Sequence, residues 1–133
     1  MHPMGGLSPD DLGALVDTLV HAAWDREGGT YHLSGAAVDP MSAEHLWAVG
    51  RPHQSLRIGG EVCSPDLVAA WVESVVRMDP LHDTFGVWWD QEDERVVFDV
   101  VDLYHTEVEA VREGKLRKEQ AIYDLATDME RFL

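Results

Sequence analysis

The sequence predicts an α+β fold: a mostly antiparallel sheet of about five strands, two well-formed helices packed mainly on one face, and a third, shorter helix before the last strand. Three observations lead there. Two Ser-Pro-Asp segments each open an apolar stripe of helical period. Runs of aromatic and β-branched residues, bounded by glycine, proline or acid-rich turns, fill most of the remaining chain. The chain has 133 residues, of which 45% are hydrophobic and 26% charged, the size and balance of a single globular domain. Residues 1–133 are therefore read as one domain, with 1–7 a flexible N-terminus.

Ser8-Pro9-Asp10-Asp11 places a hydroxyl N-cap, a proline at the first helical position and carboxylates in the first turn, where the helix dipole favours negative charge. Leu12, Leu15, Val16, Leu19, Val20, Ala23 and Trp24 then recur at three- and four-residue intervals, which predicts a helix over 9–25. Ser64-Pro65-Asp66 repeats the device. Leu67, Val68, Trp71, Val72, Val75 and Val76 form its apolar face, and Asp79-Pro80 ends it, giving a helix over 65–78. Trp24 and Trp71 lie on these stripes and are expected in the core.

Between the helices, residues 28–63 carry only Asp39, Glu44 and Glu61 against Arg51 and Arg57, the least charged part of the chain. Thr30 to Ser34 reads as a strand after a Gly28-Gly29 turn. Leu46 to Val49 and Ser55 to Ile58 flank Gly50-Arg51-Pro52-His53-Gln54, and that punctuation predicts a hairpin with a five-residue loop. Phe85 to Trp89 and Val96 to Leu103 predict a second hairpin around the polar stretch from Asp90 to Arg95. Thr106 to Lys118 is helix-like but sparse in apolar positions, and Gly114 interrupts it at about 1 kcal/mol relative to alanine. Gln120 to Leu125 reads as a closing strand and Ala126 to Leu133 as a tail.

From Gly28 onward the order of features resembles a group of small proteins encoded by actinobacteria and their phages. The residues that carry the resemblance are Gly28-Gly29-Thr30, Pro65, Val87-Trp88-Trp89-Asp90, Phe98-Asp99-Val100-Val101, Glu109-Ala110 and Ala121-Ile122-Tyr123-Asp124-Leu125. Members of that group usually carry Gly or Asn followed by Gln shortly before the closing block, where this chain has Lys118-Glu119-Gln120. The resemblance implies a phage, prophage or plasmid context in a high-GC genome, in keeping with eight Arg against two Lys. It implies no reaction.

Charge sets the function classes to weigh. Ten Lys and Arg stand against 25 Asp and Glu, a formal charge of −15, which repels phosphate backbones and anionic lipid and favours basic partners. No apolar run approaches the roughly 18–20 residues that span a bilayer, and Met1-His2-Pro3-Met4-Gly5-Gly6 lacks the basic and apolar regions of a signal peptide, so a cytoplasmic protein is expected. Neither a Walker-type phosphate loop nor Gly-x-Gly-x-x-Gly is present, and no cofactor is expected.

Side chains that could carry chemistry each have a plainer reading. Cys63 precedes a helix start, which lowers a thiol pKa, yet no local signature supplies a histidine partner, and a buried inert thiol is the better expectation. The histidines His2, His21, His32, His45, His53, His82 and His105 nowhere show helical metal-ligand spacing, so no metal is expected. Asp99 sits among Val97, Phe98, Val100 and Val101, where desolvation would raise its pKa, but alternation puts Asp102 on the other face and leaves Asp99 unpaired, directed outward from a one-sided sheet. The acidic stretch Asp90 to Glu94 reads as a solvated hairpin tip.

Five tryptophans are many for this length. Trp88 and Trp89 are consecutive in a strand and must face opposite ways, so a sheet with one open face exposes one of them. Trp47, Arg51 and His53 in the weakly charged hairpin, with Trp88 and Trp89, are the candidate binding residues. The reading these support is a non-catalytic, acidic interaction protein that binds a protein partner, a basic one or a second copy, through the open sheet face or an edge. Two alternatives compete with it. One is mimicry of DNA by carboxylates, weakened because the acids divide evenly, 12 before Phe85 and 13 after, with arginines interspersed. The other is a small hydrolase using Cys63 or Asp99 with a histidine.

Overall fold

The structure is a computed structural model and describes residues 8–26, 28–38, 46–51, 54–80, 82–127 and 129–133. The N-terminus and His53 lie outside these residues. The described chain runs α1 (Pro9–Trp24), β1 (Gly29–His32), β2 (Trp47–Gly50), β3 (Leu56–Gly59), a single 3-10 turn (Gly60–Val62), α2 (Pro65–Met78), β4 (Thr84–Asp90), β5 (Arg95–Tyr104), α3 (Glu107–Leu116), β6 (Ala121–Asp124) and β7 (Met129–Phe132). The α+β class and the mostly antiparallel sheet are as expected, with seven strands among the described residues rather than about five. No helix among the described residues is long and apolar enough to cross a membrane.

Both Ser-Pro-Asp starts work as N-caps. Ser8 Oγ accepts from the Asp11 N–H at 3.1 Å, and Ser64 Oγ accepts from the Leu67 N–H at 3.3 Å. Thr106 caps α3 in a reciprocal way: its Oγ1 accepts from the Glu109 N–H and donates to the Glu109 carboxylate at 2.9 Å. The buried stripes of α1 and α2, including Leu15, Leu19, Val68, Val72 and Val75, pack on Phe85, Val87, Val96, Phe98 and Val100 of the sheet. Trp71 closes the layer, edge-on to Phe85 at 5.8 Å and tilted over Phe98 at 5.9 Å.

Strand order is β1-β4-β5-β2-β6-β7, with β3 also paired to β5. The β4–β5 hairpin forms as predicted, from Phe85 opposite Val100 to Asp90 opposite Arg95. The other predicted hairpin does not. β2 and β3 do not pair with each other; they follow one another along the edge of β5 away from β4, Trp47–Gly50 against Tyr104–Val101 and Leu56–Gly59 against Phe98–Arg95. Of the described residues between them, Arg51 donates its N–H to the Val100 carbonyl at 2.7 Å, and the Gln54 carbonyl accepts from the Trp71 indole at 2.8 Å.

Alternation along β5 places Val96, Phe98, Val100, Asp102 and Tyr104 on one face. α1 and α2 cover the first three, and α3 covers the far end through a second cluster of Trp47, Val49, Ala110 and Ile122. Gly114, which looks like a defect in α3, is buried, and a Cβ there would lie 2.9 Å from the Ile122 Cγ2 and 2.5 Å from the Leu133 Cδ1. The glycine lets α3 sit down on β6. The segment read as a tail is β7, paired to β6 from Asp124 opposite Met129 to Ala121 opposite Phe132.

α3 ends at the Arg117 C-cap, with Lys118 left-handed at φ 58°. The Glu119 N–H reaches back to the Gly114 carbonyl at 2.9 Å and the Lys118 N–H to Lys115 at 3.1 Å, a Schellman closure that glycine or asparagine would adopt without steric cost. Lys118→Gly should therefore raise stability by about 0.5–1 kcal/mol, read as a higher urea midpoint at unchanged slope. An unchanged or lower midpoint would show that lysine bears no strain there.

Candidate functional site

Charged side chains gather where β5 outruns β4. The Arg51 guanidinium donates from Nε and Nη2 to both oxygens of Asp102, at 2.9 and 2.8 Å, and from Nη1 to Asp79 at 2.7 Å. Asp79 is the C-cap of α2. Asp102 also takes Arg117 Nη1 at 3.0 Å, while Arg117 donates to the Gly50 carbonyl at 3.2 Å and to the Tyr104 hydroxyl at 3.0 Å. Burial alone would raise the Asp102 pKa, but the Arg51 hydrogen bonds and the charges of both arginines outweigh it and hold the carboxyl below its ordinary value. Arg51 is held fully protonated, chiefly by its bond to Asp102. A cleft of about 410 Å³ lies here, lined by Arg51, Asp79, His82, Asp83, Thr84, Val101, Asp102 and Leu103. Its arginine already serves two carboxylates, so the cleft is poorly suited to an anionic ligand.

The opposite sheet face carries a second cluster. The Trp88 indole donates to Asp99 Oδ2 at 2.9 Å, and the Arg57 guanidinium lies 5.7 Å from the Trp88 ring centre while binding Asp90 at 3.0 Å. Asp99 is not directed outward into water, and it does not stand alone. At Gly50 a Cβ would lie 2.7 Å from Glu119 Oε1 and 3.6 Å from Asp99 Oδ2, so the missing side chain is what lets the two carboxyls approach. Burial raises the Asp99 pKa against the Trp88 hydrogen bond and Arg57. Glu119 is raised by burial and then by Asp99, with Arg117 opposing. Strand spacing could not have found this pair, because Glu119 arrives from the α3–β6 turn.

Since both carboxyls bind protons more tightly folded than unfolded, their contribution to stability declines as pH rises from about 4 through their folded pKa values. Asp99→Asn keeps an oxygen to accept from Trp88 and removes one of those charges. Its melting temperature should exceed that of the parent at pH 7 and converge with it near pH 3. A lower value at pH 7 would mean the ionised Asp99 is stabilising.

The expected binding residues are only partly brought together. Trp47 is buried in the α3 cluster, because β2 lies between β5 and β6 instead of in a free hairpin. Arg51 directly follows β2 but lies in no hairpin loop, and its guanidinium is turned to Asp79 and Asp102. Trp88 and Trp89 take opposite faces as alternation requires, and neither stands free. Trp89 packs against the α1–α2 core with Arg26 4.7 Å from its ring centre. Nor is the sheet face that carries Trp88 bare, since Val97 and Val101 are both buried there.

The exposed tryptophan is Trp24, 53% accessible although the helical stripe placed it in the core. The indole N–H needs an acceptor, and it meets the Cys63 carbonyl at 3.3 Å at the surface corner where α1 ends and α2 begins. Cys63 itself is buried, and burial pushes its thiol upward, away from the thiolate a nucleophile needs. Among the described residues no three His, Cys, Asp or Glu side chains are arranged to hold a metal ion. No family model, curated protein or solved structure matches this chain.

Proposed function

We propose that this chain works by binding a basic protein partner and not by catalysis. The observation that carries the reading is the coexistence of a −15 charge with an exposed, geometrically fixed tryptophan, Trp24. Exposed tryptophans are enriched at binding hot spots, and a surface of this charge selects basic partners and speeds their encounter. The acids at Asp79, Asp90, Asp102 and Glu113 are paired with arginines, which speaks against a dense row of free carboxylates imitating DNA. The clefts at Arg51 and beside α1 are lined by neither Cys63 nor Asp99, which weakens the hydrolase alternative.

The test is capture of partners from the source organism by the tagged protein, followed by rebuilding the complex from two purified components. A one-to-one complex whose affinity falls as salt rises from 50 to 300 mM is the expected result, on the order of tenfold or more. Failure to rebuild any complex, together with hydrolytic turnover that is lost in Asp99→Asn, overturns the reading.

A further inference from the structure

We propose that the outward stripe of α1, from Asp17 to Trp24 and Asp25, is the docking surface for a basic partner segment that carries one large apolar side chain. This rests on the interaction reading above and assigns it a place. Asp17, His21, Trp24 and Asp25 are spaced to share one helical face, and none of them faces the core. A cleft of about 400 Å³ runs beside that face, lined by Asp17, Thr18, His21, Ala22, Asp25 and Tyr31. It offers two carboxylates two helical turns apart, Asp17 with His21 Nδ1 at 3.4 Å and still 77% exposed at its side chain, so a lysine or arginine of the partner can reach both from solvent.

Trp24, the neighbour of Asp25 in the chain, begins the apolar half of the surface. Trp24 is held by its bond to the Cys63 carbonyl and by the His21 ring, edge-on at 5.6 Å, so little side-chain freedom is left to lose on binding. Val62, 60% exposed, directly precedes Cys63, and Leu67, 41% exposed, lies in the first turn of α2. The exposed acids Asp25, Glu61 and Asp66 belong to the same corner. Arg26 follows Asp25, but its guanidinium is over Trp89. An apolar ledge bordered by acids matches a segment with the opposite pattern, an apolar anchor flanked by Lys or Arg. A second copy of the stripe would set Asp17 and Asp25 against their own kind, and nucleic acid or anionic lipid would meet the same repulsion.

The probe is a fluorescein-labelled 15-residue peptide of lysine and leucine at helical spacing, titrated by anisotropy at low salt. Trp24→Ser and the pair Asp17→Asn/Asp25→Asn should each weaken binding at least about tenfold. The charge-matched pair Glu92→Gln/Asp93→Asn at the β4–β5 tip should change it less than about twofold. In the parent protein the Trp24 indole N–H resonance should shift on titration, a readout that does not depend on any variant folding. Equal losses from the tip pair and the α1 pair would mean bulk charge attraction. No binding, or unchanged affinity in Trp24→Ser, overturns the surface. Sedimentation showing a dimer that Trp24→Ser dissociates would assign the surface to a second copy instead. A native partner that binds with its footprint elsewhere removes this surface and leaves the interaction reading standing.

Discussion

Phe98→Ala should cost about 3–5 kcal/mol of stability, the range for a fully buried aromatic removed from a core. Phe98 has no accessible surface. It lies in the half of β5 that has a strand on each edge, opposite Val87 of β4 and Leu56 of β3, with Trp71 above it at 5.9 Å. Neighbours tied into two ladders and a helix cannot collapse into the space, so the cavity adds to the lost transfer energy. Against a total of roughly 5–15 kcal/mol, the melting temperature should fall by on the order of 10–20 °C. Calorimetry and a urea titration with unchanged slope check this. A loss below about 1 kcal/mol would mean that the sheet and α2 are not packed through this residue.

Most of the elements were legible because their signals are local. Ser8-Pro9 and Ser64-Pro65 carry cap, first-turn geometry and dipole complement within four residues, and both helices begin where those residues place them. The β4–β5 hairpin was legible for the same reason. Gly50 to Gln54 has the composition of a hairpin turn, but turn chemistry does not decide whether the next strand folds back or carries on. That depended on β5, whose ten residues can pair two four-residue strands in series. Thr106 and Glu109 carry a capping pattern that could have strengthened α3, whereas the need for Gly114 depends on Ile122 and Leu133 and could not be read locally. Met129 to Phe132 shows no apolar alternation because β7 is an exposed edge, so it resembled a tail.

The site was less legible, and for the same physical reason. Arg51 stood out, but its partners Asp79 and Asp102 are distant in sequence and come together only because α2 ends beside the overrunning half of β5. Asp99 is marked by its apolar neighbours, whereas Glu119 carries no such mark, because only the bare Cα of Gly50 lets the two carboxyls approach. Trp24 fits the helical period and still points to the surface, since periodicity assigns a face to a helix and does not say where the neighbouring layer stops.

Asp102→Ala should cost about 2–3 kcal/mol at neutral pH. Breaking a buried ion pair typically costs about 3–5 kcal/mol, and the Asp102 side chain keeps 25% of its accessibility, so water recovers part of the loss. The substitution leaves two guanidinium groups without their shared acceptor: Arg51 retains Asp79, while Arg117 retains Glu113, Tyr104 and the Gly50 carbonyl. Asp102→Asn, which keeps the shape and one acceptor oxygen, should lose less. The pH dependence is opposite in sign to that of Asp99. The folded pKa of Asp102 lies below its unfolded value of about 3.9, so its contribution is complete above that pH and disappears as pH falls through the folded pKa. The deficit of Asp102→Ala should thus be widest at pH 7 and close in acid, whereas Asp99→Asn should differ from the parent by a gain at pH 7. Denaturation midpoints of the three proteins between pH 2.5 and 8 separate the two carboxyls. A deficit that persists unchanged below about pH 3 would mean that Asp102 matters by shape alone, with its charge contributing nothing.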